Sequence, residues 1–493
     1  MIDLKKLSAK FLLSMTLFIL IFAPIGASAD RTDSVQVLID GQKISFDVPP
    51  RIENGRVLVP FRAVFTPLGG KVSWKAEKKL VVARYGLMDL RLYIGDTTAR
   101  LGNKNINMDV PAKIIQGRTL VPLRFISENL FSAHVHWDSK NKTVSISSAQ
   151  EKDLRPLTAA FQSTISGKKP GDIIDISHLE IMNIPEIIPQ WTSHPQYPVT
   201  LLFSDSPEYV DLPGVTYRGK AQGEIRLVYY HIPRLTAPSR MALVAYNPGK
   251  ETAQINIKRQ VSGDSKANRK MWQDLGADVT LDYLNQGLVS DPIVYPIPAG
   301  SHLLINPGSD YYRTGELMYG ITDLFSDREL EFSFILLPQT EMDEVFTKAK
   351  DPVLPADGRH DRGTFPGGDR LLEITLGLNL NGFLIGDGFS DPALVGKDQA
   401  TGLSAQLLGN YGVHYRMKAS FDASAAILLI PLGGDIFSGG IAASEELFSL
   451  NKVSTFRTAL YLGEYHKGDQ AEWSFMPPAG SSLPVLIISV PKT

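Results

Sequence analysis

The sequence predicts a mainly β protein with a small α+β part at its front: a duplicated antiparallel unit with short helices, followed by two β-sandwich-like domains. Three observations carry this expectation. The stretch Asn54–Arg62 returns as Gln116–Arg124, 62 positions later, and self-similarity of that kind marks a duplicated structural unit. From about residue 221, apolar runs rich in branched and aromatic residues recur at roughly ten-residue spacing between glycine and proline turns, the pattern of sandwich strands. Cysteine is absent, so burial and backbone hydrogen bonding must do what disulfides and thiolate metal sites cannot.

Residues 1–29 read as a signal peptide. Lys5, Lys6 and Lys10 precede an apolar run from Phe11 to Phe22, and Ala27-Ser28-Ala29 stands before Asp30. That run of twelve residues rises about 18 Å as a helix, against roughly 30 Å of hydrocarbon. Cleavage therefore fits better than a retained anchor. The expected location is secreted, extracellular or associated with a bacterial cell wall. Removal of the leader takes the formal charge from −2 to about −4. No basic excess remains to neutralise a phosphate backbone, so nucleic acid is a poor partner.

Residues 30–149 are expected to pack as one domain of two repeats, 35–86 and 89–148. In the first, Val35, Val37 and Ile39 alternate as in a half-buried strand. Asp40-Gly41 and Asn54-Gly55 supply hairpin turns, because glycine accepts positive φ without steric cost. Val57 and Val59 follow at strand spacing, and Pro60 stands where a helix can begin. Phe61–Leu68 makes two helical turns, ended by Gly69-Gly70; Val72 to Trp74 and Leu80 to Ala83 return as strands. The second repeat keeps the order: Leu90, Leu92 and Ile94, then Gly102-Asn103, Pro122, a helix near Leu123–Leu130, Val135 to Trp137 and Val144 to Ile146. Asp47-Val48-Pro49 likewise matches Asp109-Val110-Pro111.

The pattern Asn-Gly-Arg-x-Leu-Val-Pro-x-Arg, then Leu-Gly-Gly and Val-x-Trp, resembles the copper amine oxidase N-terminal-like (stalk) domain of secreted bacterial proteins. The resemblance covers residues 35–148 only, and both copies carry it. It implies a twisted antiparallel sheet around a helix, serving as an extracellular appendage. It does not imply amine oxidation. That chemistry needs a tyrosine in Asn-Tyr-Asp or Asn-Tyr-Glu, and the one candidate, Asn410-Tyr411-Gly412, lacks the acid. His414 follows, but no His-x-His stands downstream to complete a copper-ligand set.

Residues 150–220, punctuated by prolines, read as a linker or transition segment. Residues 221–347 read as a β-sandwich-like domain, 348–369 as a second linker dense in Pro, Gly and charge, and 370–493 as a second β-sandwich-like domain.

Few residues invite chemistry. His134 and His136 are two apart on a strand and so point the same way, as in some copper or zinc sites. No third ligand stands nearby, and the first repeat has Lys71 and Ser73 there, so a surface strand is the expected reading. His360 and Asp361 concentrate acid–base groups in the second linker, where a solvated hinge is the plainer account. Asp387 and Asp391 sit in a glycine loop faintly like a calcium loop, but Phe389 takes a ligand position and a turn fits better. Nucleophile elbows, zinc-protease helices and phosphate-binding loops are absent from the sequence.

With no cofactor implied and no catalytic constellation, the expected function is a secreted, envelope-associated, non-catalytic binding or structural protein. Its expected partner is a cell-wall polymer or a surface protein. The competing readings are an envelope hydrolase and a pure structural spacer. The hydrolase would have its site near His360, Asp361, His414 or Tyr411, with Tyr229, Tyr230, Tyr411 and Tyr415 as a sugar platform. Convergence of His231, His360 and His414 in one pocket would favour catalysis.

Overall fold

Strands account for 51% of the chain and helices for 12%, so the protein is mainly β with a small α part. The computed structural model describes residues 35–75, 79–101, 104–131, 133–147, 153–193, 198–263, 272–286, 293–306, 311–444 and 446–492. The expected signal peptide lies outside them. Contacts divide the chain at residues 151/152 into two compact units.

In the first unit the repeat is a local two-fold. Asn54-Gly55 and Gln116-Gly117 take the same left-handed pair of φ values, 48° and 74°, the conformation of tight two-residue hairpin turns. Each turn joins a short strand to a longer one: Arg51–Glu53 to Arg56–Pro60, and Lys113–Ile115 to Arg118–Pro122. The two longer strands pair antiparallel, with Val59 opposite Val121, Pro60 opposite Leu120 and Leu58 opposite Pro122. Equivalent residues thus exchange places across an axis through the Val59–Val121 pair. The ion pairs obey it too: Arg56 Nε donates to Asp109 and Arg118 Nε to Asp47, both at 2.6 Å.

The helices Phe61–Phe65 and Leu123–Leu130 follow Pro60 and Pro122, which end the strands. The first is α-helical only to Phe65; turns carry it to Gly69 (φ 86°), and the Gly70 N–H donates back to the Phe65 carbonyl at 2.9 Å. Both helices bury their apolar residues in a single core with Val37, Leu90, Leu92, Val144 and Ile146. One feature breaks the symmetry. Met88–Tyr93 runs antiparallel to Leu80–Tyr85, because the short turn at Gly86 forces a hairpin, whereas Gln36–Ile39 runs parallel to Thr143–Ser147.

The second unit is organised by two long strands, Gly214–Pro233 and Met318–Pro338, which pair antiparallel through two register shifts. Bulges of this kind bend a strand and increase its twist. Ser239–Tyr246 pairs with one end of the second long strand and Ala253–Ser262 with the other. Along the first long strand lies Thr200–Ser204 in parallel, and beyond it Arg362–Pro366. Two five-stranded sheets follow, built mostly from Asp369–Pro491.

Alternation along the first long strand explains why these parts are inseparable. Val228, Tyr230 and Ile232 enter one core, shared with Tyr415, Ile427, Trp473 and Ile487 of the carboxy-terminal sheets. Leu227 and Tyr229 enter a second core with Met241, Ile255 and Phe334 on the other face. A strand buried on both faces reads as a continuous apolar run, which is what Leu227–His231 shows.

Three expected boundaries are therefore corrected. Residues 150–220 are no linker: they hold the helix Arg155–Ile165, strand Ile173–Asp175 paired to Thr458–Leu460, strand Thr200–Ser204, and the start of the long strand. Residues 348–369 include Arg362–Pro366, an interior strand of the large sheet. Residues 221–347 and 370–493 are not separate sandwiches, since the central sheet and both carboxy-terminal sheets bury side chains in one core. That core also takes Val279 and Tyr283 from helix Trp272–Asn285, an element the sequence pattern did not reveal.

Candidate functional site

Strand Thr200–Ser204 ends in a loop containing a cis bond between Ser206 and Pro207. There the structure gathers His231, His360, Asp361 and Tyr411 of the residues noted in the sequence. Asp357 organises the loop. Its carboxylate accepts from Ser206 Oγ at 3.1 Å and from the backbone N–H groups of Glu208, Arg359 and His360 at 2.9–3.0 Å. The His360 ring then bridges two acids, with Nδ1 2.7 Å from Asp357 and Nε2 2.8 Å from Glu208. Burial works against ionisation of Asp357, but the bonds from His360, Arg359 and Glu208 outweigh it and hold the carboxyl well below its usual range.

Asp205 has the opposite environment. Burial, reinforced by Glu208, Asp361 and Asp357, pushes its carboxyl well above the ordinary value, and its Oδ1 has no hydrogen-bond partner. Asp361 accepts from the Leu408 N–H at 2.9 Å and touches Asp205 through its backbone carbonyl. Tyr411 is pushed up to about 12 by burial and by the charges of Asp205 and Asp361, while its hydroxyl donates to the Ser481 carbonyl.

His231 lies against the same loop but does a different job. Its Nδ1 donates to the Pro207 carbonyl at 2.8 Å, so Nε2 accepts from Ser204 Oγ at 2.9 Å. Ser204 is in turn 2.9 Å from Thr216 Oγ1. The contacts mimic a serine–histidine nucleophile pair, yet Ser204, Thr216 and His231 are each fully buried. Burial also lowers the imidazole to about 4. A nucleophile needs a path to its substrate; these residues tie two strands and the Pro207 loop together.

His414 is elsewhere, 5.5 Å from the Tyr283 ring and beside a buried arginine. The three histidines do not form one pocket. That arginine, Arg226, binds Asp323 at 2.7 Å and Asp369 at 3.0 Å. It also donates to Tyr283 Oη and to the carbonyls of Gly368 and Gly412. Burial opposes its charge, but Asp323, Tyr283 and Asp369 outweigh that cost. The signal in the sequence was a single charge within the apolar run Ile225–His231. Nothing in the sequence singled out Asp357, which stands before Gly358.

The other candidates resolve into structure. Asp391 pairs with Arg370 and accepts from Tyr415 Oη at 2.7 Å, and Asp387 caps the loop by accepting from the N–H groups of Phe389, Ser390 and Asp391. Both carboxylates are taken up by these bonds. Tyr229, Tyr230 and Tyr415 are buried, so the expected sugar platform is not a surface. His134 and His136 are exposed opposite Ser147 and Ser145, with Val135 and Trp137 half-buried on the other face. Among the described residues, no three His, Asp or Glu side chains are grouped to hold a metal ion.

Among solved structures, the chain resembles vicilin from Capsicum annuum, at 11% identity over 53% of this chain and 74% of that one, with a TM-score of 0.10. It also resembles vicilin from Corylus avellana (hazelnut), at 7% identity over 61% of this chain and 84% of that one, with a TM-score of 0.10. Both scores are too low to indicate a shared fold. A protein named "Protease inhibitor" from Brevibacillus choshinensis is 24% identical over 151 residues, 30% of this chain and 44% of that protein. The chain thus spans less than half the length of the curated relative it matches. Residues 38–146, the span of the duplicated unit, match the family model of the copper amine oxidase N-terminal domain.

Proposed function

We propose that the chain is an exported, non-catalytic binding protein of a bacterial cell envelope, whose partner is a wall polymer or a surface protein. One observation supports this most. The groups that looked reactive in the sequence are consumed by the fold: His231 by Ser204 and Pro207, His360 by Glu208 and Asp357, Asp391 by Arg370 and Tyr415. The similarity to a protein named as a protease inhibitor is in keeping with a role in binding other proteins. The test is retention of the secreted chain on purified Gram-positive cell walls and on wall-stripped surface proteins. Retention on either, above an albumin control, is expected; retention on neither would refute the proposal.

One observation favours a hydrolase as the second reading. A carboxyl whose ionisation burial disfavours, set beside ionisable partners, is how general acids are made, and Asp205 beside Asp361 and Glu208 has that character. Wall polysaccharide turnover that is lost in Asp205→Asn would establish it. No turnover by the parent chain would remove it.

A further inference from the structure

On one face of the large sheet in the second unit, two buried oxygens are unbonded. Asp205 Oδ1 and Tyr319 Oη have no hydrogen-bond partner among the described residues, and Tyr319 is 1% exposed. Buried polar atoms are nearly always paired, so two orphans on one face point to a ligand. Register puts them in one row. Leu201 and Phe203 enter the same core as Val228, Tyr230, Tyr319 and Ile321, and alternation gives Asp205 that face. The parallel register that ends at Ser204–Tyr229 sets Asp205 beside Tyr230. Tyr230 lies opposite Tyr319, with ring centroids 5.9 Å apart. Away from Tyr230, the Asp205 N–H donates to the Asp361 carbonyl at 3.2 Å.

Tyr411 packs against the same core. Burial pushes the Tyr230 hydroxyl up and the charges of Glu208 and Asp205 reinforce it, as Asp205 and Asp361 do for Tyr411. These carboxyls and hydroxyls therefore lie close together. Exposure falls along the row: Asp361 and Asp205 are half-buried, Tyr230 is 8% exposed and Tyr319 1%.

Charge selects the ligand. Asp205, Glu208, Asp357 and Asp361 bring four carboxyls to this end of the sheet, against His360, which binds two of them. Arg362, next along the chain, is held by Asp398. Burial, then Glu208, Asp361 and Asp357, disfavour an ionised Asp205, and an added cation relieves that burden. The acids are not grouped to hold a metal ion, whereas tyrosine rings attract an organic ammonium, most strongly when it is desolvated. A half-buried acidic rim leading to buried tyrosines suits an ammonium on a slender alkyl stem better than one fixed to a sugar ring.

We infer that Asp205, with Tyr230, Tyr319 and Tyr411, receives the ammonium group of a lysine side chain presented by a partner protein. The ammonium donates to the Asp205 carboxylate and to the Tyr319 hydroxyl, the two oxygens the fold leaves unbonded. The inference rests on the binding reading above and narrows its partner to a surface protein.

The test is isothermal titration of the full secreted chain with Nα-acetyl-lysine amide, whose one amine is that of the side chain. The norleucine analogue, which lacks the amine, and glucosamine serve as controls. Saturable binding of the lysine amide alone is expected, with half-saturation near about 1 mM. Asp205→Asn and Tyr319→Phe should each weaken it about tenfold, the worth of one hydrogen bond to a charged group. Tyr319→Phe removes a hydroxyl that holds no bond in the free protein, so its melting curve should match the parent's while its affinity falls. A purely structural hydroxyl would leave the affinity unchanged. Absence of binding at about 10 mM lysine amide would overturn the inference. So would equal binding of the norleucine analogue, or undiminished affinity in both variants. Binding of glucosamine without the lysine amide would overturn it in favour of an amino-sugar polymer. Retention on walls or surface proteins without lysine-amide binding would refute this inference and leave the binding proposal standing; loss of both would refute both.

Discussion

The two units use charge in opposite ways. In the duplicated unit the ion pairs related by the two-fold are at the surface: the side chains of Arg56 and Asp109 are 42% and 65% exposed, those of Arg118 and Asp47 56% and 55%. In the second unit the Arg226 side chain is 1% exposed and its partners Asp323 and Asp369 are 14% and 7% exposed. Exposed pairs gain little energy but mark which copy meets which, whereas a buried pair is costly to make and costlier to break. Symmetry therefore organises the first unit, and a buried polar clasp organises the second.

The largest test of that contrast is Arg226→Leu. It leaves Asp323 in the interior without its cation, leaves Asp369 only Arg416, and leaves two further acceptors (Tyr283 and Gly412) without a donor. Breaking a buried pair on one side costs about 3–5 kcal/mol. Chemical denaturation should show that loss in the transition of the second unit and leave the first unit's transition in place. A loss below about 1 kcal/mol would mean the buried network is no more valuable than the surface pairs.

His231 gives the next largest effect, and its sign follows from linkage. Burial lowers the imidazole from 6.5 to about 4, so the unfolded chain binds a proton before the folded one does. Stability attached to this residue is complete above pH 6.5 and is lost as pH falls toward 4. A shift of that size corresponds to roughly 3 kcal/mol. Comparing denaturation midpoints of the parent and His231→Gln at pH 7.5 and pH 4.5 isolates it: the parent should lose more stability on acidification than the variant. Parallel losses would place the titration elsewhere.

The same contrast explains what could be read from the residues alone. Hairpin turns at Asn54-Gly55 and Gln116-Gly117, and the helix at Leu123–Leu130, were legible because local chemistry and repetition agree there. The second unit was read strand by strand, but its joins were not. Gly320–Leu324 and Leu330–Leu337 are two apolar runs of one strand, Met318–Pro338, that changes partners from Ala253–Ser262 to Ser239–Tyr246. Such sharing depends on long-range pairing, which no local window contains. The candidate site was half legible for the same reason. His360 and Asp361 were visible as polar residues in a loop, but only the pairing of Thr200–Ser204 with Arg362–Pro366 brings them to Asp205 and Glu208.

The smallest effect sharpens the comparison from the side of the first unit. Exposed pairs are worth about 0.2–1 kcal/mol, so Arg56→Ala alone should barely move a melting curve. The informative measurement is a pair of double-mutant cycles, Arg56 with Asp109 and Arg118 with Asp47. The two bonds have the same length and related exposure, and the strands between them are centred on Val59 and Val121. If the two-fold extends from the backbone to the side chains, the coupling energies should agree within about 0.3–0.5 kcal/mol, the scatter ordinarily seen for independent sites. A coupling present in one cycle and absent in the other would mean that only one copy's pair fixes the register.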